Sequence, residues 1–380
     1  MAAIDPIELT LELIRAPSVT PADAGAMDIV ERALTGIGFH CRRMPFGGIE
    51  NLYARRGGAG PNLCFAGHTD VVPPGDVGAW SRPPFAGSVE AGIVHGRGAA
   101  DMKSAIACFI AAASRRRDGS GSLSLLITGD EEGEAEHGTK AVVAALAAEG
   151  ERIDHCVVGE PTSRARLGDM IKIGRRGTIN GRVVVEGVQG HVAYPDRAAN
   201  PAPVLVRFLA AIDARRLDEG CAGFQASNLE ITSIDIGNTA SNVIPARAEA
   251  RFNIRFNPTH AGADLAAWLE AEGAAAAEGF AGKVTVRSRV GGEAFLTEAG
   301  PFTELAARAA RSVTGLAPEL STSGGTSDAR FIRVLCPVVE LGLVGTTMHK
   351  IDEQVPIEDI RRLTDIYAAL IDGYAATFAG

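Results

Sequence analysis

Apolar residues along the first 176 positions fall into two alternating patterns. Short unbroken runs at Asn62–Ala66, Leu123–Thr128 and His155–Val158 predict strands. Longer segments at Ile7–Arg15, Ala26–Gly36, Met102–Arg115 and Thr139–Glu149 predict helices. The first helix opens at Asp5-Pro6 with Glu8 in its first turn, continues through Ile7, Leu11 and Ile14, and stops before Pro17. Strands alternating with helices predict an α/β domain with a largely parallel sheet flanked by helices. Its chemistry is expected beyond the carboxyl ends of the strands.

From about residue 177 the rhythm changes. Thr178–Glu186 reads as a strand, Pro201–Arg215 as a helix, and Leu229–Ile236 and Ala246–Phe256 as strands. A helix over Ala261–Glu278 and a strand over Lys283–Arg289 follow. The order β-α-β-β-α-β is the split ferredoxin-like arrangement, a self-contained α+β unit. After Gly291-Gly292 the first pattern returns, with a helix at Phe302–Val313, a strand at Val338–Leu341 and a closing helix from Ile357 to about Ala375. The expected organisation is a catalytic domain in two segments, 1–176 and 292–380, with residues 177–291 inserted between them.

A chain of 380 residues exceeds what one ordinary core accommodates, in keeping with two domains. Hydrophobic content of 46% with 22% charged residues is that of a soluble globular protein. No stretch approaches the roughly 18 to 20 apolar residues of a membrane span, and the N-terminus lacks the basic and apolar regions of a signal peptide. A cytoplasmic location is expected. The six cysteines show no CxxC spacing and sit mostly in apolar runs, so they read as reduced core residues. A net charge of −9 argues against a nucleic-acid partner, which requires a basic footprint. It also makes inward-pointing arginines informative, because an acidic protein that binds an acidic substrate must build a local positive pocket.

The candidate chemistry lies at strand ends. His68 follows the first of the three short runs, Asp130-Glu131-Glu132 the second and Glu160 the third. Together with Asp101 and His349 they supply two imidazoles and several carboxylates, a donor set for a borderline metal such as zinc, and for two ions rather than one. Asp70 stands two residues beyond His68 on the same strand face, so its carboxylate is expected to hydrogen-bond the far imidazole nitrogen. Three carboxylates in a row crowd like charges that a cation relieves. Of the two adjacent glutamates, one can bind metal while the other handles a proton. The bland reading of Asp101 is a helix cap. His40, His95, His137, His155 and His260 read as structural. His191 sits among the turn formers of Gly187–Pro195 and could donate to a substrate oxygen if the inserted domain closes over the site. Gly324-Gly325-Thr326-Ser327-Asp328 resembles a cradle of backbone amides for a carboxylate. Nucleophile-elbow, phosphate-loop and dinucleotide motifs are missing from the sequence.

Taken together, Gly67–Pro73, Gly96–Lys103, Asp130–Glu132 and Gly159–Pro161 resemble the hallmarks of the M20 metallopeptidase family, in order and over essentially the whole chain. Gly174–Gly177, Gly187–Pro195, Ser241–Pro245, Phe252–Phe256, Gly324–Arg330 and His349–Glu353 are similar to the branch of that family that hydrolyses succinylated diaminopimelate. The resemblance implies a zinc-peptidase-like catalytic domain, an inserted ferredoxin-like lid that is also the dimerisation surface, and a homodimer. It implies two Zn²⁺ per subunit, for which Co²⁺ can substitute. Asp101 would bridge them, His68 and Glu160 completing one and Glu132 and His349 the other. Glu131 would be the general acid/base, Asp70 would belong to the catalytic set with it, and His191 of a partner subunit would stabilise the oxyanion. Arg175, Arg255 and Arg330 would meet substrate carboxylates, with Tyr194, Asn242, Gly325 and Thr326 adding hydrogen bonds. The implied reaction converts N-succinyl-LL-2,6-diaminopimelate to succinate and LL-2,6-diaminopimelate, a step towards lysine. Other deacylases, such as those acting on acetylornithine, and dipeptidases or aminoacylases share the same core. A silent metal-binding scaffold is the alternative of a different class. The chain departs from the pattern at Ser241, where asparagine is expected, and at Ala329, where glycine is expected.

Overall fold

The short apolar runs of the first segment lie side by side in one eight-stranded sheet. In this computed structural model, which describes residues 3–58, 60–116 and 121–378, the strand order is His40–Arg43, Asn51–Arg56, Ser122–Thr128, Asn62–His68, His155–Val158, Val338–Glu340, Met170–Lys172 and Glu319–Ser321. The four central strands are mutually parallel. The Asn51–Arg56 strand and its hairpin partner His40–Arg43 run antiparallel at one side. At the other side Met170–Lys172 is antiparallel to Val338–Glu340. All seven residues of Asn62–His68 are buried, as a parallel strand covered on both faces requires.

Parallel pairing sets the register that builds the site. His68 pairs with Thr128 and Ala66 with Val158, so the segments after these three strands leave the same edge of the sheet. Covering the sheet, the Ser104–Ser114 helix is buried along its whole length and packs on the closing helix Ile357–Phe378. Phe65, Phe109 and Tyr367 meet there with ring centroids 4.5 to 5.6 Å apart. The buried Tyr367 hydroxyl donates to the Leu341 carbonyl at 2.6 Å, satisfying the one polar group the cluster carries. All six cysteines are free, and Cys64, Cys108, Cys156 and Cys336 are buried.

The chain divides into two compact units. The first holds Met1–Gly174, Leu296–Ser321 and Ser327–Gly380; the second holds Arg175–Phe295 together with Thr322–Thr326. The second is a four-stranded antiparallel sheet in the order Asn228–Asp235, Arg247–Phe256, Gly177–Glu186, Lys283–Gly292. Helices Pro201–Ala214 and Gly262–Ala276 join its strands in the β-α-β-β-α-β sequence. Val183, Phe208, Phe252 and Leu269 lie in its core. Asn200 starts the first of these helices, its Oδ1 accepting from the Ala202 amide ahead of Pro201.

Some elements differ from the sequence reading. The Met102–Arg115 helix begins at Ser104, because Asp101 and Met102 hold non-helical backbone angles. The edge hairpin was not legible, since His40–Arg43 alternates exposed and half-buried polar residues. A small sheet of Ser88–Glu90, Ile93–His95 and Gln354–Pro356 was also missed; each strand spans only three residues, below the length that periodicity resolves. Among the described residues no helix is long and apolar enough to cross a membrane.

Candidate metal centre and active site

His68, the last residue of its strand, is 1% exposed. Its Nδ1 lies 2.9 Å from the Asp70 main-chain carbonyl. A carbonyl oxygen only accepts, so Nδ1 carries a hydrogen, and Nε2 is the nitrogen that faces the site and offers a lone pair once its own proton is lost. That Nε2 is 3.2 Å from Asp101 Oδ1 and 3.9 Å from Glu160 Oε1. The Asp70 carboxylate, expected to bond this imidazole, stands 3.7 Å from Nδ1 and does other work. Its two oxygens accept from the amides of Glu131 at 3.2 Å and Glu132 at 2.9 Å. The main-chain carbonyl has taken the imidazole because it is nearer, and the carboxylate orients the turn that carries both glutamates.

Asp101 is not a helix cap. The segment turns at Gly98 (φ 86°), where a Cβ would meet Lys103 and Val71 at 2.9 Å. Asp101 then breaks out of the helical path into an extended conformation, and its peptide bond to Met102 is cis. The two carboxylate oxygens face opposite ways: Oδ1 towards His68, and Oδ2 at 3.2 Å from His349 Nε2. His349 Nε2 is also 2.7 Å from Glu132 Oε1. His349 has left-handed backbone (φ 61°), a conformation a side-chain-bearing residue keeps only when its loop is held. Thr347 and Gln354 close that loop with two hydrogen bonds. Glu160, just beyond its strand, points a buried Oε1 into the cluster with no hydrogen-bond partner among the described residues.

Two groups of donor atoms result, His68–Asp101–Glu160 and Asp101–Glu132–His349, each within 4.8 Å and sharing Asp101. His68 also groups with Glu131 and Glu132. The electrostatics are those of a negative cluster short of cations. Hydrogen bonds to Asp101 and Glu132 push His349 up to about 10. Burial works against a charge on His68, yet Asp101 and its neighbours hold it well above the usual histidine value. Burial pushes Asp101 up, but bonds to both imidazoles override it and hold the carboxyl well below its ordinary range. Burial drives Glu131 and Glu160 well above theirs, nearby carboxylates adding to the effect. Asp70 is raised to about 6 by burial. Oxygen and imidazole donors around a two-faced carboxylate, with one orphaned oxygen, can hold two divalent ions.

The description "Peptidase family M20/M25/M40" fits residues 64–373 of this chain. The chain belongs to that family. Succinyl-diaminopimelate desuccinylase of Phenylobacterium zucineum is 67% identical over 378 residues, covering 99% of this chain and 100% of that relative. The M20 fold is equally evident in solved structures. An M20 metallo-carboxypeptidase, Sso-CP2 of Sulfolobus solfataricus, superposes with a TM-score of 0.82 at 17% identity, covering 98% of this chain and 99% of the other. The YXEP protein of Bacillus subtilis, described as a dinuclear metal binding peptidase, gives 0.74 at 18% identity over 98% of each chain.

The remaining candidates divide between the units of this M20 chain. Arg330 belongs to the first; its guanidinium lies over the Phe331 ring at 4.5 Å. Arg175, His191, Tyr194, Asn242, Arg255, Gly325 and Thr326 belong to the second. There Arg175, 8% exposed, donates to the Gly325 carbonyl at 3.0 Å and so ties down the 322–326 segment. His191 and Tyr194 are exposed, their rings 5.8 Å apart, and the Asn242 carbonyl accepts from Val192. The sequence reading took Gly324–Asp328 for its amides and missed the carboxyl of Asp328, which is 5% exposed and raised by burial against the pull of Arg330. An acidic residue closing a glycine-rich polar run was the available signal.

Proposed function

We propose that this protein is a two-zinc amide hydrolase that cleaves N-succinyl-LL-2,6-diaminopimelate to succinate and LL-2,6-diaminopimelate. The observation that carries the reading is the two-faced Asp101 carboxylate between His68 with Glu160 and Glu132 with His349, with Glu131 beside it. The substrate follows from 67% identity over nearly the whole chain to a succinyl-diaminopimelate desuccinylase.

His68, Asp101 and Glu160 would hold one zinc ion, and Asp101, Glu132 and His349 the other; cobalt can replace them. When bound, the ions supply Lewis acidity to the amide carbonyl and to water. Glu131 accepts a proton from the attacking water and returns it to the departing amine nitrogen. Burial, which raises its carboxyl, suits a group that must hold a proton between these two transfers. Asp70 orients Glu131 and Glu132 through their amides. His191, contributed by a second copy in a homodimer formed through the second unit, donates to the oxyanion. Arg175, Arg255 and Arg330 meet the substrate's three carboxylates in the forked geometry a guanidinium offers. Tyr194, Asn242, Gly325 and Thr326 complete its hydrogen bonds.

The test is succinate release by zinc-loaded protein, run beside acetate release from N-acetylornithine and a chelated control. Chelator-sensitive succinate release alone is the expected result. Activity confined to N-acetylornithine would keep the metal chemistry and overturn the substrate.

A further inference from the structure

Glu353 lies within the His349–Glu353 stretch, has no part in the proton transfers, and is fully buried. Its carboxylate accepts four hydrogen bonds. Oε1 takes the amides of Ala100 at 2.8 Å and Asp101 at 3.1 Å. Oε2 takes the Gly98 amide at 3.1 Å and Arg97 Nη1 at 2.6 Å. Arg97 is 2% exposed and lies over the Trp80 ring. The same guanidinium donates to the Lys350 carbonyl at 3.2 Å and the Pro73 carbonyl at 3.4 Å. One carboxylate thus grips the segment that carries Asp101, including the amide of Asp101 itself. Its arginine reaches the residue after His349 and the chain three residues beyond Asp70.

We infer that Glu353 and Arg97 are positioning residues for the metal centre: Glu353 fixes the turn that aims Asp101 between the two imidazoles, and Arg97 fixes the His349 segment against it. A buried ion pair serving the fold alone would not need three amides of one turn, those of Gly98, Ala100 and Asp101, as partners. Here the bonds converge on segments next to Asp101, His349 and Asp70, as the groups that orient metal ligands do. The inference rests on the two-metal reading.

Glu353→Gln separates the two roles. The amide keeps the size of the side chain but sets an NH₂ donor against the Gly98 amide and Arg97. The cobalt-loaded protein's visible absorption, the thermal unfolding of metal-free protein, and kcat and KM of the zinc-loaded enzyme are read together. The expected result is a folded variant whose cobalt bands are altered and whose metal affinity falls about 10- to 100-fold, with kcat lowered and KM little changed. Glu353→Asp, which keeps the carboxylate, should recover part of the bands and of kcat. Should Glu353→Gln not fold, Arg97→Lys decides. It spares the three amide bonds but cannot reach Pro73 and Lys350 together, and is expected to weaken the second cobalt equivalent more than the first. Folded variants with the cobalt bands and kcat of the wild type would overturn the inference. A wild-type protein with no cobalt bands would instead overturn the metal reading, and one with bands but no succinate release the substrate reading.

Discussion

At the scale of single residues, Glu131 and Glu132 are adjacent yet face different tasks. Asp70 holds both amides, so their separation begins in the backbone. Glu132 lies 2.7 Å from His349 Nε2, and Glu131 is the residue proposed for proton transfer. Glu131→Gln is expected to lower kcat by about 10²- to 10⁴-fold while metal content stays at the wild-type level; steady-state rates and elemental analysis check this. The imidazoles make a second prediction. In metal-free protein both are raised above their ordinary value of about 6.5, His349 to about 10, so they are protonated at neutral pH. A metal ligand must be neutral, so loading at pH 7 releases protons. Calorimetry in two buffers of different ionisation enthalpy should show that release, and equal heats would refute it. A raised histidine stabilises the metal-free fold fully below about 6.5 and loses that contribution as pH climbs through its folded value. Glu131 and Glu160, raised by burial, act in the same direction. The unfolding temperature of the chelated protein should therefore fall between neutral pH and about 10 more steeply than that of the loaded protein.

At the scale of elements, the site depends on how closely the kinked segment at Asp101 approaches the sheet. Gly159 follows the His155–Val158 strand, and a Cβ there would meet Phe65, the Met102 methyl and Ala105 at 2.5, 2.6 and 2.9 Å. Met102 adjoins Asp101, so pressure on it is expected to pass to the Asp101 carboxylate. Gly159→Ala is expected to cost about 1–3 kcal/mol and to lower metal affinity as well; denaturant unfolding and cobalt titration report the two effects. Wild-type affinity in a destabilised variant would show that Met102 does not transmit the strain. The central strands and long helices were legible because their patterns are local and several residues long. The His40–Arg43 hairpin strand and the strands Ser88–Glu90, Ile93–His95 and Gln354–Pro356 were not, because pairing, and not side-chain pattern, makes them strands.

For the molecule as a whole, every proposed metal ligand belongs to the first compact unit and none to the second. Metal binds the folded state and stabilises it by mass action, by about 4 kcal/mol at a thousand times its dissociation constant. Removing it should therefore act on the first unit. Hydrogen exchange is expected to quicken on chelation in the segments around His68, Asp101, Glu132 and His349. Strands Gly177–Glu186 and Arg247–Phe256 should keep their protection, and uniform loss across both units would contradict this. Succinate release in the absence of dimer, measured with light scattering, would remove His191 of a second copy from the mechanism.

The sequence by itself determined the alternation of elements, the interruption by a β-α-β-β-α-β unit, and the placing of His68, Asp130–Glu132 and Glu160 after strands. Those features follow from local periodicity and from the rule that parallel strands end on one edge. Only the tertiary structure decided which atom meets which. His349 reaches Glu132 across 217 positions, Asp101 divides its oxygens between two imidazoles, the Asp70 carbonyl displaces its own carboxylate at His68, and Glu353 closes on the amides beside Asp101. All but the contact of His68 with the Asp70 carbonyl, two residues on, join segments distant in the chain, and each is set by packing, loop closure and the need of buried polar groups for partners, which no side-chain pattern encodes.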